Sequence, residues 1–196
     1  MEAVETKEQA TGQSKGTVKI TICKSLSGIA EGAELVHQEF EKQIKELEAN
    51  AELGAGGCSM GQVGCRGYCS KDVLVDVYVP GQDPVTYEKV KPEMVVKILK
   101  DHVIGGKVFK KAAAKDDYYE NLKKQQRVAL EFGGKIDPES IDEYLEVGGY
   151  TGLKKALQMK PSDIVEDIIS SGLRGKGGGG FVTGHKWKKA ASAPTD

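Results

Sequence analysis

The stretch Thr17-Val-Lys-Ile-Thr-Ile-Cys23 decides the reading of the fold. Val18, Ile20 and Ile22 alternate with Lys19 and Thr21, the period-two pattern of a half-buried strand. The strand runs straight into a cysteine, and Gly28 and Gly32 then mark a turn. From residue 33 to 49 the period changes. Val36, Phe40, Ile44 and Leu47 fall on one stripe at helical spacing, with Glu and Lys on the opposite face.

Working outward, residues 54–67 are glycine-rich and irregular, and one strand there is left open by the pattern. Residues 73–79 alternate again and read as a strand. Residues 80–84 form a turn, and 85–87 a short return strand. Pro92 opens a helix with Val95, Ile98, Leu99 and Val103 inward, closed by Gly105-Gly106. Strands covered by helices in this order predict an α/β or α+β layered unit of thioredoxin size over 17–107. Residues 1–16 are polar and acidic, a disordered lead-in. Residues 108–126 are charged and weakly patterned, which predicts a linker with a partial helix. A second, mainly helical segment follows over 127–196. There Asp137 is expected to cap a helix with Pro138 at its first position, and Ile141, Tyr144 and Leu145 supply the apolar face. A short helix is expected over 150–159. Another starts at Pro161, with Ile164, Val165, Ile168 and Ile169 inward and Gly172 at its end.

The formal net charge of -1 removes the electrostatic reason to expect nucleic acid as a partner. No apolar run approaches the roughly 20 residues that span a bilayer, so membrane insertion is not expected. The first residues have neither a positive start nor an apolar stretch, unlike a secretory signal. A cytoplasmic location follows as the expectation. In that compartment the clustered cysteines point to metal or redox work more than to structural disulfides.

The candidate metal ligands are Cys23, Cys58, Cys65 and Cys69. Thiolates suit iron–sulfur clusters and zinc. Gly64 and Gly67 flank the pair in Cys65-Arg-Gly-Tyr-Cys69 and allow close backbone approach. Zinc would need four ligands, and His37 lies on the helix, remote from the pair; His102 reads as an ordinary helix histidine. One cysteine at the end of the first strand and a pair before a later strand resemble the thioredoxin-like [2Fe–2S] ferredoxin domain. The resemblance implies a partner for Cys23 at position 28, which is glycine here. Cys58 is the candidate replacement. The alternative is a degenerate domain that keeps the fold without the cluster.

Residues 175–180 match the Gly-x-Gly-x-x-Gly spacing, but a helix precedes them where a dinucleotide-binding unit requires a strand. No Gly-Lys-Ser or Gly-Lys-Thr is present for a P-loop. What remains is four consecutive glycines whose N–H groups can meet a nucleotide or flavin. Arg174, Lys176 and Lys186 add charge suited to phosphates, Phe181 offers an aromatic face, and Thr183 is expected to cap the next helix. A flexible glycine-rich tail is the competing reading.

The whole run Ser171-Gly-Leu-Arg-Gly-Lys-Gly-Gly-Gly-Gly-Phe-Val-Thr-Gly-His-Lys-Trp187 resembles the signature of the NADH-binding flavoprotein subunit of respiratory complex I. Beta subunits of NAD-linked hydrogenases and formate dehydrogenases share it. The stretch 134–150 resembles the family's lead-in helix. A fused ferredoxin-type domain is typical of the hydrogenase version.

The resemblance implies a thioredoxin-like ferredoxin-type domain, a helical lead-in and the start of an FMN-binding α/β domain. It implies that Gly175, Lys176, Gly177, Gly178, Gly179, Gly180, Phe181, Thr183 and Lys186 line an FMN and NAD(H) site. It also implies an NADH dehydrogenase that passes a hydride from NADH to FMN and electrons on to iron–sulfur centres, with other subunits as partners. No catalytic acid or base is implied. Lys176 stands where the family has Arg, which keeps the charge and loses the bidentate fork. Val182 and His185 stand where it has Pro and Leu. The family's remaining FMN contacts and [4Fe–4S] domain would lie beyond Asp196, so the chain is expected to be a fragment, inactive alone. The alternative function is a non-catalytic thioredoxin-like docking module.

Overall fold

The computed structural model describes residues 16–53 and 57–194. The expected lead-in therefore lies outside the described residues except for Gly16. The chain divides into two compact units, 1–143 and 144–196.

The first unit is built on four strands, β1 (Val18–Cys23), β2 (Cys58–Val63), β3 (Val75–Tyr78) and β4 (Val85–Tyr87), in the order β2-β1-β3-β4. β1 pairs parallel with β2 and antiparallel with β3, and β4 is antiparallel to β3. Helix α1 (Leu26–Ala30) and helix α2 (Ala33–Ala49) separate β1 from β2. Helix α3 (Pro92–Lys97) continues through wider turns over Ile98–Ile104. This is the thioredoxin-like α/β layering that the sequence predicts.

The period-two and helical stripes meet in one core. Ile20, Ile22, Val75, Val77 and Tyr87 cover one sheet face, and Val36, Phe40, Ile44 and Leu47 of α2 pack there with Val95, Ile98 and Leu99. Full burial of each such side chain stabilises by about 1.5–3 kcal/mol.

The other sheet face departs from the expected alternation. Thr21, Asp76 and Thr86 stand side by side across β1, β3 and β4, and all three are buried. Residues 108–126, expected as a linker, help to cover this face. They carry α4 (Asp116–Lys123), with Tyr118 buried and the Tyr119 hydroxyl accepting from Thr86 N–H at 3.0 Å. Ala112 joins the apolar core and Ala113 bridges to Tyr87. Charge masked these few packed positions in the sequence.

Two local readings also change. Residues 24–32 are not only a turn. Ser25 caps α1 by accepting from Gly28 N–H at 3.0 Å. Helix α5 (Ile141–Glu146) starts later than expected, because Ser140 Oγ accepts from Glu143 N–H at 3.2 Å. Asp137 instead accepts from Glu139 N–H in the preceding turn.

The second unit holds α6 (Thr151–Ala156), α7 (Pro161–Ser170) and α8 (Thr183–Ala191). Gly172, at φ +66°, closes the segment after α7 as expected. Among the described residues of this unit no strand forms; Arg174 and Val182 make an isolated bridge. Gly184 allows α8 to lie against α7. A Cβ there would come within 2.6 Å of the Ile169 backbone nitrogen.

Candidate functional site

The first unit brings Cys65 and Cys69 together. Cys69 begins a short 3₁₀ turn (Cys69–Lys71), and its Sγ lies 3.6 Å from Cys65 Sγ. Gly67 N–H donates to Cys65 Sγ at 3.3 Å, a contact eased by the glycine's φ of +84°. The hydrogen bond with Cys65 is the main cause that holds the Cys69 thiol above its ordinary pKa.

Arg66 fixes this loop from between the two cysteines. Its guanidinium pairs with Asp76 and donates to the Tyr118 hydroxyl at 3.1 Å, with both charged side chains at least 90% buried. Thr86 Oγ1 donates to Asp76 at 2.6 Å. Burial acts against the Arg66 charge, but Asp76 and Tyr118 outweigh it and keep the guanidinium protonated. Arg127 donates to the Arg66 carbonyl. Sequence reading had no role for Arg66; its place between two candidate ligands was the available signal.

Cys23 ends β1, fully buried, with its Sγ 3.8 Å from the Gly64 carbonyl oxygen. Burial raises its pKa, opposed by hydrogen bonding with Ser25. Its partner position is closed. A Cβ built on Gly28 would overlap the Cys23 carbonyl oxygen.

Cys58 does not replace that partner. In the parallel register Cys58 stands opposite Val18, while Cys23 stands opposite Val63. Five strand residues at about 3.3 Å each put Cys58 about 16 Å along the sheet from Cys23. Burial, with Glu48 nearby, pushes the Cys58 thiol up to about 12. Cys58 thus stands apart from the other three cysteines. A [2Fe–2S] cluster takes four ligands, and this end of the sheet offers thiols from Cys23, Cys65 and Cys69 only. The residues do not fit that group. Among the described residues no three His, Cys, Asp or Glu side chains group as metal ligands.

The second unit carries the glycine loop. Gly175 N–H donates to Phe181 O at 2.9 Å, and Thr183 N–H donates to Leu173 O at 2.8 Å. These rungs close a loop over 176–180, and Arg174 reaches across it to the Gly180 carbonyl oxygen at 3.3 Å. Gly178 and Gly180 have φ of +108° and +59°, a backbone that favours glycine. Gly177 and Gly179 are different: φ is not in that region, and an added Cβ would have nothing within 4 Å. Lys176, Phe181 and Lys186 are exposed beside them. Thr183 is not the cap it was expected to be. Val182 occupies that position and no side chain caps α8.

No protein-family model matches the chain. It is 51% identical over 74 residues to HndC of the NADP-reducing hydrogenase of Solidesulfovibrio fructosivorans, covering 38% of this chain and 15% of that one. It is 56% identical over 55 residues to the F subunit of NADH-quinone oxidoreductase from Aquifex aeolicus, covering 28% of this chain and 13% of that one. The matched stretches are thus a small part of either relative's length. Among solved structures, a thioredoxin-like [2Fe–2S] ferredoxin from Aquifex aeolicus aligns with a TM-score of 0.44 and 22% identity, over 51% of this chain and 92% of that one. No helix among the described residues is long and apolar enough to cross a membrane. The chain accordingly resembles, over part of its length, the F-type component of NADH-quinone oxidoreductase and the HndC component of an NADP-reducing hydrogenase.

Proposed function

We propose that this chain is an electron-transfer component of an NADH-oxidising flavoprotein complex, and that the loop between Arg174 and Val182 is its flavin and nicotinamide surface. The observation that carries the reading is the pair Gly177 and Gly179. Neither backbone conformation nor packing within the chain calls for glycine there. A flat ring system lying on the backbone does call for it, because any Cβ would hold the ring away. The residues fit FMN in this respect, with Lys176 and Lys186 as charges for phosphate and Phe181 as an aromatic neighbour. Bound FMN would accept a hydride from NADH and release single electrons. The chain's own groups bind and orient.

Gly28 and the remote Cys58 favour a second role for the first unit. It serves as a docking module for partner subunits that keeps the ferredoxin-type sheet without its cluster. The two roles sit in different units and do not compete.

Titrating FMN into the chain and following flavin fluorescence tests the loop reading. Weak quenching is expected, reduced at least tenfold in affinity in Gly179→Val with unchanged circular dichroism. Gly179 is preferable to Gly178, where φ of +108° would strain any side chain. Equal affinity in the variant would contradict the reading.

A further inference from the structure

We propose that Cys65 and Cys69 form a dithiol–disulfide exchange site whose substrate is a low-molecular-weight disulfide bearing carboxylates, docked in the cleft beside Cys69. The proposal is independent of the flavin reading, which concerns the second unit.

Two thiols are left as a pair. Their sulfurs stand 3.6 Å apart, and a disulfide bond of about 2.05 Å needs them to close by about 1.5 Å. Cys69 is exposed, while the backbone between the two is pinned by Arg66. Ser27 Oγ donates to the Cys69 carbonyl at 3.2 Å and holds the other side. No third thiol competes at this spot. Cys23 is buried behind Gly64, and Cys58 lies at the far end of the sheet.

A cavity of about 250 Å³ opens beside Cys69, walled by Glu31, Ser70, Asp72, Lys89 and Lys91 among others. Among the described residues neither lysine has an ion-pair partner. Two ammonium groups without an ion-pair partner, beside an exposed thiol, suit a disulfide that carries carboxylates. Asp72 supplies a second, independent mark of a ligand. It is 94% buried, its Oδ2 accepts from Ser25 Oγ at 3.1 Å, and its Oδ1 is buried with no hydrogen-bond partner.

The chemistry is two successive exchanges. The Cys69 thiolate attacks one sulfur of the external disulfide. That S–S bond breaks, one thiolate leaves and takes up a proton, and a mixed disulfide remains on Cys69. The Cys65 thiolate then attacks Cys69 Sγ and expels the second thiolate, which is also protonated. The chain loses two protons and two electrons, and the external disulfide becomes two thiols.

The test uses the full chain and oxidised glutathione, with acid quenching, alkylation and peptide mass analysis. A Cys65–Cys69 disulfide, two hydrogens lighter, is expected, with Cys23 and Cys58 still alkylated. In Cys65→Ser the mixed disulfide should accumulate on Cys69. Lys89→Glu with Lys91→Glu should slow the reaction with oxidised glutathione at least fivefold, and leave the rate with uncharged hydroxyethyl disulfide within twofold. For the parent chain, added salt should slow the first reagent and spare the second. Reduced Cys65 and Cys69 after treatment would overturn the proposal. So would an iron–sulfur cluster that protects both thiols in the purified chain. Equal effects of charge reversal on the two reagents would overturn the docking assignment.

Discussion

Replacing Arg66 by Met removes one half of a buried ion pair and leaves the other half in place. The Asp76 carboxylate, almost wholly buried, would keep only the Thr86 hydroxyl, and the Tyr118 hydroxyl would lose its donor. An uncompensated buried charge of this kind costs about 3–5 kcal/mol. With a urea dependence of about 2 kcal/mol per molar for a unit of this size, a loss of about 4 kcal/mol lowers the midpoint by about 2 M. The assay is equilibrium urea unfolding followed by far-ultraviolet circular dichroism. The double variant, Arg66→Met with Asp76→Leu, removes both charges and should recover most of that loss, because the penalty belongs to the orphaned carboxylate. A single variant that loses less than about 1 kcal/mol would refute the reasoning. So would a double variant no better than the single one.

Gly184→Ala places a Cβ within 2.6 Å of the Ile169 backbone nitrogen, so α8 must move off α7. A cost of about 1–3 kcal/mol is expected, seen as faster hydrogen exchange over 161–191 with the first unit unchanged; unchanged exchange would contradict the packing. His102 is fully buried, its Nδ1 bonded to the Tyr87 hydroxyl at 2.9 Å and its Nε2 without a partner. Burial holds its pKa below the ordinary histidine value, so the unfolded chain takes up this proton more readily than the folded one. The neutral ring's contribution is complete above the unfolded pKa of about 6.5 and is lost as pH falls through the lower folded value. Urea midpoints should therefore fall between pH 7.5 and 5, with a shallower fall in His102→Gln; equal slopes would contradict the assignment.

Legibility in the sequence followed how local each cause is. β1, α2 and α3 were readable because their apolar residues repeat at the period of the element itself, and those residues are the ones buried. β2 was not, because Cys58-Ser-Met-Gly-Gln-Val63 has weak strand propensity. Its order comes from six parallel pairings with β1, a tertiary cause. The same limit explains Cys58. Spacing put a thiol near the pair along the chain, but register carried it to the opposite end of the strand. Gly28 was visible as a missing ligand, yet only the backbone shows that the Cys23 carbonyl leaves no room for a side chain there. The charged stretch 108–126 hid Tyr118, whose hydroxyl meets a guanidinium contributed from 52 residues earlier.

Arg66 connects these two kinds of information. It sits between two thiols that the sequence singled out, but its charge is spent in a buried network that the sequence does not display. The geometry of Cys65 and Cys69 therefore rests on the polar face of the sheet as well as on their own loop. A substitution at Asp76, on β3, or at Tyr118, on α4, must loosen the pair through Arg66. One at Lys97, by contrast, would disturb an exposed ion pair with Asp101. That contrast separates a thiol site built into the sheet from two cysteines that merely share a surface loop.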